Sequence, residues 1–168
     1  MRHNNLYLLV FVALLGGCAG LAPQAPAPAS SAPGSAASER SEALLQALSA
    51  LGTSYRYGGN SYATGFDCSG LVAHVFLEAY GIQLPHSARA QSEMGTPVSL
   101  AELQPGDLVF YDTEHQPFSH VGIYLGNGEF VHAPRTGARV RVERMSNPYW
   151  KRRFDGARRI SPPQTASR

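Results

Sequence analysis

Two cysteines, Cys18 and Cys68, and six histidines hold most of the nucleophilic and proton-transferring chemistry of this 168-residue chain. The cysteines sit in unlike surroundings, so they are read separately and not as a disulfide pair. Cys68 lies in Gly65-Phe66-Asp67-Cys68-Ser69-Gly70, ahead of Leu71, Val72, Val75, Phe76 and Ala79, a run of helical period that stops at Gly81. Asp67 is then the N-cap, and Cys68 falls in the first turn. There the unpaired N–H groups favour a thiolate, and the small Ser69 and Gly70 leave the sulfur open to a substrate. A small buried apolar residue is the competing reading of the same cysteine.

A thiolate nucleophile needs a base and a group that orients the base. His3 lies at the very N-terminus, His74 sits on another face of the cysteine's helix, and His115 is in a polar loop beside Glu114. His86 precedes a short helix and can line a groove. His120 and His132 stand apart, at the start of one strand and the end of the next across Gly126-Asn127-Gly128. A three-residue loop pairs Leu125 with Glu129 and sets His132 opposite Gly122, making the two histidines diagonal neighbours on one face. The same register gathers Val121, Ile123, Leu125, Val131 and Ala133 on the other face, as a core requires. A two-residue loop would split the histidines between faces. Two unrelated sheet histidines are the alternative reading of the pair.

The elements that must position these groups follow from periodicity and punctuation. Ser38 caps a helix with Leu44, Leu45, Leu48 and Leu51 on one face and Gly52 as its stop. Pro85 and Ser87 punctuate a short helix ending near Gly95. From Gly106 onward the period is that of strands: Asp107 to Tyr111, His120 to Leu125, Glu129 to Ala133 and Arg139 to Glu143, with Ala157 to Ile160 as a last one. Asn147-Pro148 starts a further helix. Helices first and an antiparallel sheet afterwards predict one α+β domain over residues 39–161. The formal net charge of +2 supplies no field strong enough to hold nucleic acid.

Three blocks then carry a resemblance. They are Gly65-Phe66-Asp67-Cys68-Ser69-Gly70-Leu71-Val72, Leu103-Gln104-Pro105-Gly106-Asp107-Leu108-Val109-Phe110, and Ser119-His120-Val121-Gly122-Ile123-Tyr124-Leu125-Gly126 with Phe130-Val131-His132-Ala133. Together they resemble the signature blocks of NlpC-type cysteine peptidases, papain-like hydrolases of the bacterial cell wall. The ending Asn147-Pro148-Tyr149-Trp150-Lys151-Arg152-Arg153-Phe154 with Ala157-Arg158-Arg159 is similar to that of enterobacterial murein endopeptidase lipoproteins. The resemblance implies N-terminal helices packed on a central antiparallel sheet. It implies Cys68 as nucleophile, His120 as general base and acid, His132 as the group orienting His120, and a Tyr55 hydroxyl directed at the thiol or oxyanion. Asp67, Ser69 and Arg56 are expected to touch substrate.

By the same resemblance the substrate is the peptidoglycan stem peptide. The first expectation for the bond is the crosslink amide between D-Ala and meso-diaminopimelate, with the γ-D-glutamyl amide of diaminopimelate as the alternative. No metal or other cofactor is required. Cys68, His120 and His132 are donors that zinc accepts, yet in this context they resemble a triad more closely. A non-catalytic wall-binding lipoprotein and an amidase or acyltransferase acting on a small amide or ester are the competing classes.

The N-terminus reads as an address. Arg2 and His3 precede an apolar run from Leu6 to Leu15, too short to span a bilayer, which ends in Leu15-Gly16-Gly17-Cys18. That ending resembles a bacterial lipobox, which makes residues 1–17 a signal peptide and Cys18 the lipidated first residue of the mature chain. Ala19 permits sorting to the outer membrane, so the expected place is the periplasmic side of that membrane in a Gram-negative bacterium. Residues 19–38 carry no charge and are rich in Ala, Pro and Ser, the composition of a tether. Residues 162–168 read as a disordered tail.

Overall fold

The computed structural model describes residues 33–161. The expected signal segment, Cys18, most of the expected tether and the expected tail at 162–168 lie outside the described residues. The first helix, α1 (Pro33–Ser49), starts at Pro33 and not after Ser38. Proline suits the first turn and alanine is the best helix former, so part of the stretch with tether composition continues a helix. Its buried side also differs from expectation. Ala43, Ala47 and Ala50 are fully buried, whereas Leu45 and Leu48 are 63% and 43% exposed. Small side chains on the inner face let α1 approach the next helix closely, which turns the leucines outward.

That next helix, α2 (Cys68–Tyr80), has the predicted ends. Asp67 caps its start, and Gly81 ends it in the left-handed region at φ 65°, donating to Leu77 while Ile82 donates to Phe76. Before it lies a small hairpin of β1 (Asn60–Ser61) and β2 (Gly65–Phe66), and after it α3 (Ala88–Ser92), capped by Ser87. The remaining elements are β3 (Thr96–Val98), β4 (Leu108–Tyr111), β5 (His120–Gly126), β6 (Glu129–His132), β7 (Arg141–Arg144), α4 (Pro148–Lys151) and β8 (Phe154–Arg159). β3 to β8 form one antiparallel sheet in the order β3-β8-β4-β5-β6-β7. The two-residue strands β1 and β2 and the short β3 were not anticipated, because so few residues carry no period.

Alternation along the strands sends side chains to two apolar layers. Leu108, Phe110, Val121, Ile123, Val131 and Ala133 pack with α1 and α2, with Leu125 at the margin. Val109, Tyr111, Phe130 and Ala157 face the other way and are covered by Trp150 of α4. At the edge of β4, Asp107 accepts Arg159 Nε at 2.8 Å and Nη2 at 2.7 Å, a two-point clamp between β4 and β8.

The hairpin that carries the histidines has the predicted register but not the predicted turn. Ile123 faces Val131 and Tyr124 faces Phe130, while Gly126, and not Leu125, faces Glu129. The turn is therefore the two-residue Asn127-Gly128, both at positive φ (52° and 74°), as a type I′ turn demands. A bulge between Tyr124 and Gly126 inserts one extra residue and restores the parity that a plain two-residue loop would have reversed. His120 and His132 thus share the face opposite the helices.

Candidate active site

The thiol is placed by the start of α2, and that start is held by one carboxylate. Asp67 accepts Gly70 N–H at 2.7 Å, Gly58 N–H at 2.8 Å and the Ser69 hydroxyl at 3.1 Å, and His86 Nε2 lies 2.9 Å from its Oδ1. These bonds tie the loop before β1, the first turn of α2 and the segment before α3 to one point beside Cys68. Gly70 is required there, since a Cβ would collide with the Gly59 carbonyl and come within 2.7 Å of His86 Nε2. Gln91, fully buried, adds a second staple by donating to the carbonyls of Ser69 (3.0 Å) and Pro85 (2.8 Å).

Cys68 is half-buried, and the backbone N–H groups of Val121, Ser69 and its own residue act on the thiol in favour of its charged form. Val121 directly follows His120, and α2, which carries Cys68, packs against β5, which carries His120. Burial pushes the thiol up to about 11, with the Asp67 charge acting the same way and the three N–H groups opposing. Desolvation therefore opposes the thiolate that the helix start favours.

The two imidazoles are linked: His120 Nε2 is 2.7 Å from His132 Nδ1, with the rings nearly perpendicular at 87°. His120 is 4% exposed and His132 fully buried. Trp150 stacks on His120 (5.7 Å, 25°) and meets His132 edge to face (4.9 Å, 88°). Burial pushes His120 down to about 4, with Asp67 opposing, and holds His132 well below the ordinary imidazole value. Burial thus opposes the charged form of the thiol and of both imidazoles. Room for the pair comes from Gly122, where a Cβ would fall 2.6 Å from Phe130 Cδ2 and 3.3 Å from His132 Cβ.

Tyr55 lies in the loop before β1, paired with Phe66, and its phenol is pushed up by burial, then by Cys68 and Asp67. It therefore keeps its proton and sits near enough to sense the thiol. Arg56 is exposed one residue on. Asp67 and Ser69 are 8% and 5% exposed, with their side chains bonded to each other. His86, read from sequence only as a groove-lining residue, is anchored on Asp67. Gln91 was missed altogether, because a buried glutamine on a five-residue helix leaves no local pattern.

Known proteins share this sequence and fold. The NlpC/P60 family model matches residues 52–159. The chain is 40% identical over 126 residues to murein DD-endopeptidase MepH of Escherichia coli strain K12, covering 73% of this chain and 46% of that protein. It is 46% identical over 109 residues to murein DD-endopeptidase MepS/murein LD-carboxypeptidase of the same strain, covering 65% and 56%. It therefore spans about half the length of these curated relatives. The crystal structure of an NlpC/P60 family protein from Bacillus cereus ATCC 10987 superposes with a TM-score of 0.66 at 32% identity, covering 71% of this chain and 39% of that one. With its α+β, papain-like packing of helices on an antiparallel sheet, the chain belongs to the NlpC/P60 family.

Proposed function

We propose that the protein is a cysteine endopeptidase that hydrolyses amide bonds of peptidoglycan stem peptides, with Cys68 as nucleophile, His120 as base and acid, and His132 as its orienting partner. The observation that carries this reading is the joint geometry of the three. The backbone N–H of Val121, the residue after His120, acts on the Cys68 thiol, and His120 Nε2 lies 2.7 Å from His132 Nδ1. With Nε2 engaged, Nδ1 is the atom of His120 left to take a proton. His120 then donates its Nε2–H to His132 Nδ1, and His132 carries its own proton on Nε2.

From a neutral pair, the thiol proton passes to His120 as sulfur attacks the carbonyl carbon. The N–H groups that meet the sulfur at the start of α2 are placed to hold the oxyanion, with the protonated Tyr55 hydroxyl as a further donor. His120 returns the proton to the leaving nitrogen, and water then releases the acyl group. Asp67 and Ser69, expected from sequence to touch substrate, are assigned instead to positioning, because their side chains are buried and bonded within the protein. Arg56 is exposed and keeps its expected role at the cleft.

The bond we favour is the D-Ala to meso-diaminopimelate crosslink, and the DD-endopeptidase activity named for MepH and MepS supports it. We further propose that lipid on Cys18 holds the enzyme at the periplasmic face of the outer membrane, a reading that rests on the Leu15-Gly16-Gly17-Cys18 ending. Digestion of a defined crosslinked tetrapeptide dimer, followed by mass spectrometry, tests the bond. Two tetrapeptide monomers are expected. Products cut after γ-D-glutamate would assign the other amide.

A further inference from the structure

A groove of about 500 Å³ adjoins the imidazole side of the site, bounded by Trp150, Pro134, Glu114, Arg135, Arg141 and Glu143. Its floor is the same Trp150 that packs on both His120 and His132. Glu114 on its wall is close enough for its charge to act on the Tyr55 phenol, as that of Cys68 does. The direction of the reaction gives this groove a role. Sulfur attacks the carbonyl carbon and His120 protonates the nitrogen, so the amine half of the substrate must extend past the imidazoles, over Trp150.

The charges in the groove are unequally occupied. Arg141 Nε is bonded to Glu143 at 2.8 Å, which spends one cation on one anion. Arg135, which follows His132 by the short link Ala133-Pro134, is exposed and has no ion-pair or side-chain hydrogen-bond partner among the described residues. Glu114 likewise has no ion-pair or side-chain hydrogen-bond partner among the described residues, and its charge acts on the Tyr55 phenol. A free guanidinium beside a free carboxylate matches an amino-acid head group.

Resting on the peptidase reading above, we infer that this groove is the leaving-residue subsite and that Arg135 binds a free carboxylate on the carbon bearing the scissile nitrogen. The preferred substrates are then amides whose nitrogen belongs to such a carbon. In the crosslink between D-Ala and diaminopimelate the nitrogen sits on the D-centre, whose carboxylate is free. In the γ-D-glutamyl amide of a tetrapeptide stem the nitrogen sits on the L-centre, whose carboxyl is consumed by the next amide. One arginine therefore separates two bonds that the nucleophile and histidines treat alike. Carboxylate recognition by guanidinium is two-pronged, so lysine is an imperfect substitute.

The test uses the full chain, wild type and Arg135→Gln, with two crosslinked tetrapeptide dimers. One carries the free leaving-residue carboxylate and the other a carboxamide at that position. Wild type should lose about tenfold in kcat/KM on amidation, as for one charged hydrogen bond. Arg135→Gln should lose about as much on the free acid and cut both dimers at equal rates. Arg135→Lys should retain part of the discrimination. Equal cleavage of both dimers by wild type, or full discrimination by Arg135→Gln, overturns the subsite while leaving the peptidase intact. Failure of wild type to cut either dimer overturns the peptidase reading itself, and the subsite with it.

Discussion

His120 Nε2 lies 2.7 Å from His132 Nδ1 across a hairpin that separates them by 12 positions in the chain. The contact depends on a backbone detail, the bulge between Tyr124 and Gly126, which keeps both rings on one face. A base and the group that orients it should fail differently. His120→Ala removes the proton acceptor and should cost on the order of 10³-fold or more in kcat. His132→Ala leaves His120 able to accept a proton whenever its ring is correctly placed, so about 10–100-fold is expected, with partial rescue by His132→Gln. Steady-state rates on a crosslinked muropeptide decide it, with circular dichroism to confirm folding. Equal and complete loss in both folded variants would assign His132 a more direct part.

Gly122 makes space for both Phe130 and His132. An added methyl would come within 2.6 Å of Phe130 Cδ2 and 2.8 Å of the Val131 carbonyl, on strand backbone that cannot easily yield. Gly122→Ala should therefore destabilise by about 1–3 kcal/mol, the usual cost of overpacking, and lower the rate by displacing His132. Urea denaturation alongside the activity assay checks both effects. A variant as stable and active as wild type would contradict the packing described.

The burial of His120 makes stability depend on acid in a stated direction. Its imidazole titrates at about 4 in the fold against 6.5 ordinarily, so between those values the unfolded chain binds more protons. Stability from this group is complete above about pH 6.5, declines as pH falls toward about 4, and is flat below; the loss is on the order of 3 kcal/mol. His132 acts in the same sense. Denaturant midpoints at about pH 7 and about pH 4 provide the measurement, and His120→Gln should reduce the dependence to the part due to His132. A midpoint that does not move between them would show the imidazole to be no more buried than in the unfolded chain.

Asp67 gathers donors from Gly58, Ser69, Gly70 and His86 around the nucleophile's turn. Asp67→Ala removes a helix cap and strands buried donors, which should cost about 2–4 kcal/mol. Asp67→Asn keeps the cap oxygen and should lose less. If substrate contact were its main role, the rate would fall while thermal stability held, so paired melting and kinetic measurements separate the two.

The parts of the site legible in sequence were those with local punctuation. The Asp67 cap, Cys68 in the first turn of α2 and the Gly81 stop follow from neighbouring residues, and the histidine register follows from the apolar alternation of β5 and β6. What escaped was carried by distance or by size. The staple from Gln91 to Ser69 spans 22 positions, and the anchor from His86 to Asp67 spans 19, with no periodic mark at either end. On α1 the leucines suggested the core face, but the close approach of α1 to α2 selected alanines. The protonation state of the thiol was also out of reach, because it depends on burial by segments remote in the chain.

One sulfur, that of Cys68, should perform the cleavage, and a comparison of wild type with Cys68→Ala on purified sacculi tests this. Alanine is small enough to take the place of cysteine in the first turn of α2, so the variant should match wild type in circular dichroism. Released peptides identified by mass should show crosslinked dimers converted to monomers by wild type, and a rate lower by about 10³-fold or more for Cys68→Ala. Conversion by the folded Cys68→Ala protein at a rate near that of wild type would contradict cysteine catalysis outright.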